Sequence, residues 1–328
     1  MNRLETKLNK MNLNSPIMTA SGTWGHSDEI NILYDEDKDK ILNSLGAFVT
    51  KGITMKPRKG NPGLRIVETQ RGLLNSIGLQ NEGVKAFVTS EIPMLLKYKL
   101  PIIVNISADT IEQFGEIAAY LNDNNSSKLI EGIEINVSCP NIKEGGLAFG
   151  VNPKHIKKIV STVKKKIDNS ITVITKLTPN VSDIVPLATA AIEGGTDVLS
   201  MINTIRGMAI DIRSRKPFLG DPKEGLYGAG GLSGPAVKPV GVLMVYECFR
   251  KIPECRNKKI PIIGIGGISY WQDALEYIMA GATAVGIGTA WIVRSSAVVD
   301  VYSGLEKYLE ENNDNIENLI GVAHKKII

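Results

Sequence analysis

Three features of this sequence predict an α/β fold, a single (β/α)8 TIM barrel. Short, nearly continuous runs of Val, Ile and Ala recur from one end of the chain to the other, as strands buried on both faces of a parallel sheet require. Amphipathic helical patterns separate most of these runs. Polar residues collect where the runs end, and in a barrel those ends form one rim that holds the active site. A doubly wound open sheet is the competing architecture, but nothing marks a change of winding direction.

The N-terminus comes first. Leu4, Thr6 and Leu8, then Met11 and Leu13, alternate as in a short hairpin closing one end of the fold. Eight strand-like runs follow: PIMTAS (16–21), AFVTKG (47–52), PIIVNIS (101–107), GIEINVS (132–138), ITVITKL (171–177), DVLSMINT (197–204), IPIIGIGG (260–267) and AVGIGTA (284–290). Helical periodicity fits 111–122, 154–167, 183–194, 235–250, 270–280 and 296–312. In 154–167, His155, Ile156, Ile159, Val160, Val163 and Ile167 make one apolar face, and the lysines fall mostly on the other, as on a solvated helix. No Pro-, Gly- or Ser-rich linker divides the chain, so residues 1–328 are expected to form one domain. The longest stretch without a clear element is 205–234, and so long a loop in a compact domain is usually functional.

Composition narrows the function. The 328 residues carry 38 Lys+Arg against 34 Asp+Glu, a net charge of +4, which argues against nucleic-acid binding driven by bulk charge. Hydrophobic residues at 43% and charged residues at 22% exclude a disordered chain. Aromatic residues are 5% while glycines number 32, which suits a backbone that approaches a ligand closely. The cysteines at 139, 248 and 255 have no zinc or iron–sulfur spacing, and a reduced, cytoplasmic chain is expected. No apolar run approaches the roughly 20 residues that span a bilayer, and the N-terminus has no signal-peptide core. His26, His155 and His324 form no metal-ligand pattern and no Ser-His-Asp order.

The rim residues are Ala20 and Ser21, Lys51, Asn105, Asn136 with Cys139 and Asn141, Lys176, Asn203 with Thr204, Gly266 with Gly267, and Gly288 with Thr289. Loops after the seventh and eighth strands of barrels often bind phosphate through backbone N–H groups, and GIGGIS (264–269) and VGIGTA (285–290) stand there. Tight turns alone are the other explanation for these glycines. Lys51 and Lys176 end strands, where a buried ammonium needs a partner. An anionic or electron-rich cofactor or a structural ion pair would supply one. Cys139 leaves a buried strand within NVSCPNIKEGG (136–146), and a thiol there can act as a base when its surroundings tune it. Gly145 and Gly146 suit a lid loop. Cys248, in a helical pattern, and Cys255 are expected to be inert. Asn75, Asn136, Asn141 and Asn203 offer uncharged donors and acceptors that suit a planar ring rich in N–H and C=O groups, such as a pyrimidine.

LLNSIGLQN (73–81), NVSCPN (136–141), TKLTPN (175–180), MINT (201–204), GGLSGPAVKP (230–239), IIGIGGIS and AVGIGTA together resemble the dihydroorotate dehydrogenases, from about Pro16 to Ala290 in unbroken order. Cys139, KEGG after NVSCPN and the GGLSGP run are similar to the class 1, type B form, the catalytic subunit of the NAD-linked enzyme. The resemblance implies an FMN-containing barrel that oxidises dihydroorotate to orotate in pyrimidine biosynthesis. It implies Cys139 as the base removing the C5 proton, with the C6 hydride passing to flavin N5. Substrate binding falls to Lys51, Asn75, Ser76, Ile77, Gly78, Leu79, Asn136, Asn141, Asn203 and Thr204. FMN binding falls to Ala20, Ser21, Lys51, Gly52, Asn105, Asn136, Lys176, Ile202, Gly234, Gly266, Gly267, Gly288 and Thr289. The resemblance further implies a homodimeric core within a heterotetramer. Its second subunit carries FAD and a [2Fe–2S] cluster and reduces NAD; three dispersed cysteines cannot supply that cluster's four ligands here. The membrane-bound class 2 enzymes use serine as base and have an N-terminal extension, which a first strand near residue 16 is not expected to accommodate. The segment FLGDPKEGLYGAG within 217–230 is longer than the family pattern. Rival assignments are the fumarate-linked class 1, type A enzyme, a dihydropyrimidine dehydrogenase-type flavin subunit and a non-catalytic flavin- or phosphate-binding barrel.

Overall fold

The computed structural model describes residues 2–25, 37–138, 149–220 and 228–325. Its centre is an eight-stranded parallel sheet of β1 (Ile17–Thr19), β2 (Phe48–Val49), β3 (Ile102–Ile106), β4 (Ile130–Asn136), β5 (Thr172–Lys176), β6 (Val198–Met201), β7 (Ile262–Ile265) and β8 (Ala284–Ile287). Neighbours in the sheet run β1-β8-β7-β6-β5-β4-β3-β2. A parallel bridge between Met18 and Ala47 joins the two ends and closes the barrel. Thr19 strengthens that short seam, because its hydroxyl donates to the Val49 carbonyl at 2.9 Å and accepts from the Val49 N–H at 2.7 Å. Each strand falls on an expected run, with β4 starting two residues early at Ile130.

The strands alternate with α1 (Lys38–Ser44), the composite α2 (Gly83–Ala86, a π turn at Phe87–Glu91, then Ile92–Leu95), α3 (Ile111–Asp123), α4 (Pro153–Lys164), α5 (Val185–Gly194), α6 (Lys238–Lys251), α7 (Trp271–Ala280) and α8 (Ala297–Glu311). Local chemistry sets several boundaries. The Thr110 hydroxyl caps α3 by accepting from the Gln113 N–H, and Asn152 caps α4 ahead of Pro153. Gly195, at φ 97°, ends α5 in the left-handed conformation. Helices α1 and α2 were not expected from the sequence. One has only seven residues, and the other is interrupted by a π turn with Pro93 just beyond it, so neither sustains a helical period.

Two cores result. Between sheet and helices lies the larger, which buries Phe48, Phe87, Phe114 and Tyr277. Inside the barrel, Met18, Val49, Ile103, Ile174, Val198, Ile263 and Ala284 pack with Leu8, Met11 and Leu13 of the N-terminal hairpin. That hairpin, Thr6–Leu8 paired with Met11–Leu13, turns through Asn9 at φ 54°.

The expected loop at 205–234 is corrected. It contains strands Ile205–Met208, Ile210–Asp211, Lys216–Pro217 and Ala229–Ser233. The first and last of these join Gly72–Asn75 and Ile66–Thr69 in a second, antiparallel sheet of four strands. Its strands are short, and Gly231 and Leu232 pair with Asn75 and Leu74, more than a hundred positions away, so local periodicity carried no trace of it. Residues 221–227, in the segment expected to be longer than the family pattern, and Gly145 and Gly146, expected in a lid loop, lie outside the described residues.

Met11 is 1% exposed and seals the barrel interior. Met11→Ala should therefore destabilise the protein by about 2–5 kcal/mol in denaturant unfolding while leaving the fold intact.

Candidate active site

Side chains on a strand alternate between faces, so inner positions recur every second residue. Ile103 and Ile174 belong to the barrel interior, and a Cβ added at Gly132 would meet both. Two residues further along the same strands stand Asn105, Glu134 and Lys176, and Ser200 follows Val198 in the same way. The barrel interior thus changes from apolar to polar along its axis. Strand register brings the four together, pairing Asn105 with Glu134 and Lys176 with Ser200. The Asn105 amide donates to Glu134 Oε2 at 2.6 Å, and the Ser200 hydroxyl donates to Glu134 Oε1 at 2.8 Å. Lys176 Nζ lies 3.7 Å from Glu134 Oε2, with both side chains nearly inaccessible. Lys176 therefore has a carboxylate partner within the protein.

An open cleft lies over this polar layer. Its wall includes Ala20, Ser21, Lys176, Ile202, Asn203 and Thr204, and the turns Gly234, Gly266–Gly267 and Gly288–Thr289. These turns are tightly built. A Cβ on Gly267, at φ +73°, would stand 2.8 Å from the Gly234 carbonyl oxygen. Beneath them Tyr277 is fully buried, and its phenol donates to the Gly266 carbonyl at 2.8 Å. Burial pushes the phenol pKa up, so the group remains a donor at every physiological pH. The Thr289 hydroxyl donates to Ser233 Oγ at 2.8 Å, tying the turn after β8 to the second sheet.

A chain of contacts links the asparagines. Asn203 Nδ2 donates to Asn136 Oδ1 at 3.2 Å, and Asn203 Oδ1 accepts from the Thr204 N–H at 2.8 Å. A Cβ on Gly231 would lie 2.1 Å from the Thr204 hydroxyl, so the second sheet sits directly against that residue. Asn75 Nδ2 donates to the Gly231 carbonyl at 3.1 Å. Ser76 accepts from Asn61 Nδ2, and Gly78 and Leu79 turn at φ 74° and 56°. Ile77 lies between them and accepts the Asn61 N–H at its carbonyl.

Most of the expected rim residues therefore converge. Lys51, Gly52, Asn105, Asn136 and the segment Asn75 to Leu79 are not part of the cleft wall itself. Gly52, Asn105 and Leu79 meet one another beside it: a Cβ on Gly52 would stand 2.9 Å from Asn105 Oδ1 and 3.8 Å from Leu79 Cδ2. Lys51, half-buried, directly precedes Gly52. Cys139 and Asn141 lie outside the described residues. Sequence reasoning missed Thr23, Leu232, Ser233, Val237, Ile265, Ile268, Ser269 and Ala290 on the wall, mostly apolar or small residues without a chemical signature. It also missed Glu134, although an acidic residue inside the apolar run GIEINVS is a visible signal. Cys248 and Cys255 are both buried. Desolvation pushes the Cys248 thiol up and the Cys255 thiol up to about 12, so neither forms a thiolate near neutral pH.

Tyr277→Phe removes the donor to a buried carbonyl beneath the Gly266–Gly267 turn. We expect a loss of about 1–3 kcal/mol in unfolding free energy, measured in denaturant, because that carbonyl loses its phenol partner.

Comparison with known proteins agrees with this architecture. The family model for dihydroorotate dehydrogenase matches residues 3–309. A protein of Thermoanaerobacter sp. (strain X514), named dihydroorotate dehydrogenase B (NAD(+)), catalytic subunit, is 48% identical over 319 residues, which cover 97% of this chain and 98% of that protein. Proteins of the same name from Desulforamulus reducens and Caldicellulosiruptor saccharolyticus are 45% and 44% identical, over 98% and 97% of this chain and 98% of each relative. With the family model spanning the whole barrel, this chain belongs to the dihydroorotate dehydrogenase family.

Proposed function

We propose that this protein is the catalytic subunit of an NAD-linked dihydroorotate dehydrogenase, a one-domain, FMN-dependent enzyme that oxidises (S)-dihydroorotate to orotate in pyrimidine biosynthesis. The observation that carries this reading is the convergence, on one cleft, of the glycine turns after β7 and β8 with the buried Lys176 and with Asn203, whose amide is hydrogen-bonded to that of Asn136. Relatives bearing that enzyme's name match nearly the full chain.

The residues fit FMN. Gly266, Gly267 and Gly288 stand on the cleft wall, where glycine carries no side chain to hold a phosphate away from the backbone N–H groups. Ala20, Ser21, Ile202 and Gly234 complete the wall. Asn105 Oδ1 is buried with no hydrogen-bond partner among the described residues, which is expected of an acceptor awaiting a ligand's donor. Lys176 brings a cation to the same place, where it would favour the negative charge of a reduced flavin. Lys51, Gly52 and Asn136 complete the set we assign to the cofactor.

Oxidation of dihydroorotate removes a proton from C5 and a hydride from C6, leaving a C5=C6 double bond. Bound FMN supplies the hydride acceptor, N5. We assign the C5 proton to the Cys139 thiolate. The linked amides of Asn136 and Asn203, with Thr204, Asn75 and Asn141, provide donors and acceptors for the substrate ring and its carboxylate. Lys51 and the Ser76–Leu79 segment would close the same pocket. A second subunit carrying FAD and a [2Fe–2S] cluster would take the electrons on to NAD. The relatives' designation as catalytic subunits supports such a partner. A homodimeric core is supported by Met208, Ile210 and Ile212, exposed apolar residues spaced two apart along the second sheet and its extension. No helix among the described residues is long and apolar enough to cross a membrane. We place the protein in the cytoplasm, where thiols such as Cys248 and Cys255 stay reduced.

Two measurements test this. Purified protein loaded with FMN should bleach on anaerobic addition of dihydroorotate and stay yellow with dihydrouracil; bleaching by both or by dihydrouracil alone would make the substrate assignment wrong. Cys139→Ala should keep its flavin while turnover falls by about 10²–10⁴, the range for loss of a general base. Turnover near that of the parent at neutral pH would remove Cys139 from the base role.

A further inference from the structure

Glu134 has no role in the chemistry above, yet its carboxylate sits at 1% residue exposure in the middle of the barrel. A buried carboxylate is expensive unless it is paired and hydrogen-bonded. Here Asn105, Ser200 and Lys176 surround it. We propose that Glu134 is a positioning residue of the cofactor site, orienting Asn105 and Lys176 toward the ring system of the bound flavin; the inference rests on the FMN reading of the cleft.

The chemistry of the contacts supports this over a self-contained core network. An ionised carboxylate only accepts hydrogen bonds. Facing Glu134, the Asn105 amide must therefore present Nδ2, and Oδ1 must point elsewhere. Oδ1 does so, toward Gly52, and has no partner among the described residues. A network built only for stability satisfies its buried atoms. This one leaves an acceptor open beside the cleft. Lys176 shows the same bias. Its separation of 3.7 Å from Glu134 gives Coulombic attraction but exceeds hydrogen-bond length, so the ammonium donors are not consumed by the carboxylate. Lys176 is at the same time on the cleft wall. One carboxylate therefore sets the polarity of the amide and balances the charge of the ammonium while leaving the ligand-directed atoms of both available.

The test compares wild type, Glu134→Gln and Glu134→Asp by FMN titration of apoprotein and by the midpoint potential of the bound flavin, neither of which requires turnover. Glu134→Gln leaves the Lys176 charge uncompensated, and the midpoint should shift upward, because a positive field favours reduced flavin. Glu134→Asp keeps the charge but withdraws it by one methylene. Its midpoint should return close to wild type, while the FMN dissociation constant rises about fivefold as Asn105 loses its fixed partner. A midpoint in Glu134→Gln at or below the wild-type value overturns the inference. So does wild-type FMN affinity in Glu134→Asp, which decides the matter even if Glu134→Gln fails to fold. Wild-type protein that takes up no FMN overturns the cofactor reading itself, and this inference with it.

Discussion

The buried charge of Glu134, with Lys176 at 3.7 Å, is the constraint to which the rest of the barrel interior is fitted. A carboxylate removed from water must find donors and a countercharge within a few ångströms. Strands β3, β5 and β6 supply them from neighbouring register positions. Below that level the interior is aliphatic and sealed by the hairpin residues Leu8, Met11 and Leu13. Above it the wall becomes backbone turns and small polar side chains. The period of two along each strand makes this possible, because a single strand can contribute Ile103 to the core and Asn105 to the polar layer without any change of direction.

The cleft has a second source of order. Four antiparallel strands outside the barrel place Asn75 against Gly231 and Gly231 against Thr204. The absence of a side chain at Gly231 is what permits that approach, since a Cβ would lie 2.1 Å from the Thr204 hydroxyl. Through the Thr204–Asn203–Asn136 contacts the second sheet is coupled to β4 and β6 of the barrel. The Gly266–Gly267 turn is held from the opposite side by Tyr277, whose phenol donates to the Gly266 carbonyl. Two independent supports, one above the barrel and one behind it, thus define a single opening.

Within this family the arrangement divides the work by chemical type. Glycine turns suit an anionic group, linked amides suit a ring with alternating donors and acceptors, and Lys176 adds a single cation. The two buried thiols, Cys248 and Cys255, sit away from this division, because desolvation keeps them protonated.

Much of this was legible before the structure. Eight aliphatic runs with polar ends predict a parallel barrel and its rim, because burial on both faces and convergence at one end are properties of each strand and its order in the chain. Local signals also marked the hairpin and α3 to α8. Other features were decided only by tertiary contacts. Helix α2 is held in place by packing that overrides its broken period, and strands Gly72–Asn75 and Ala229–Ser233 pair across some 160 residues, a distance no local pattern encodes. The role of Glu134 is of the same kind. The sequence shows one acidic residue in an aliphatic strand; only the closed barrel decides that Asn105, Ser200 and Lys176 surround it, because those partners come from three other strands and meet through register alone.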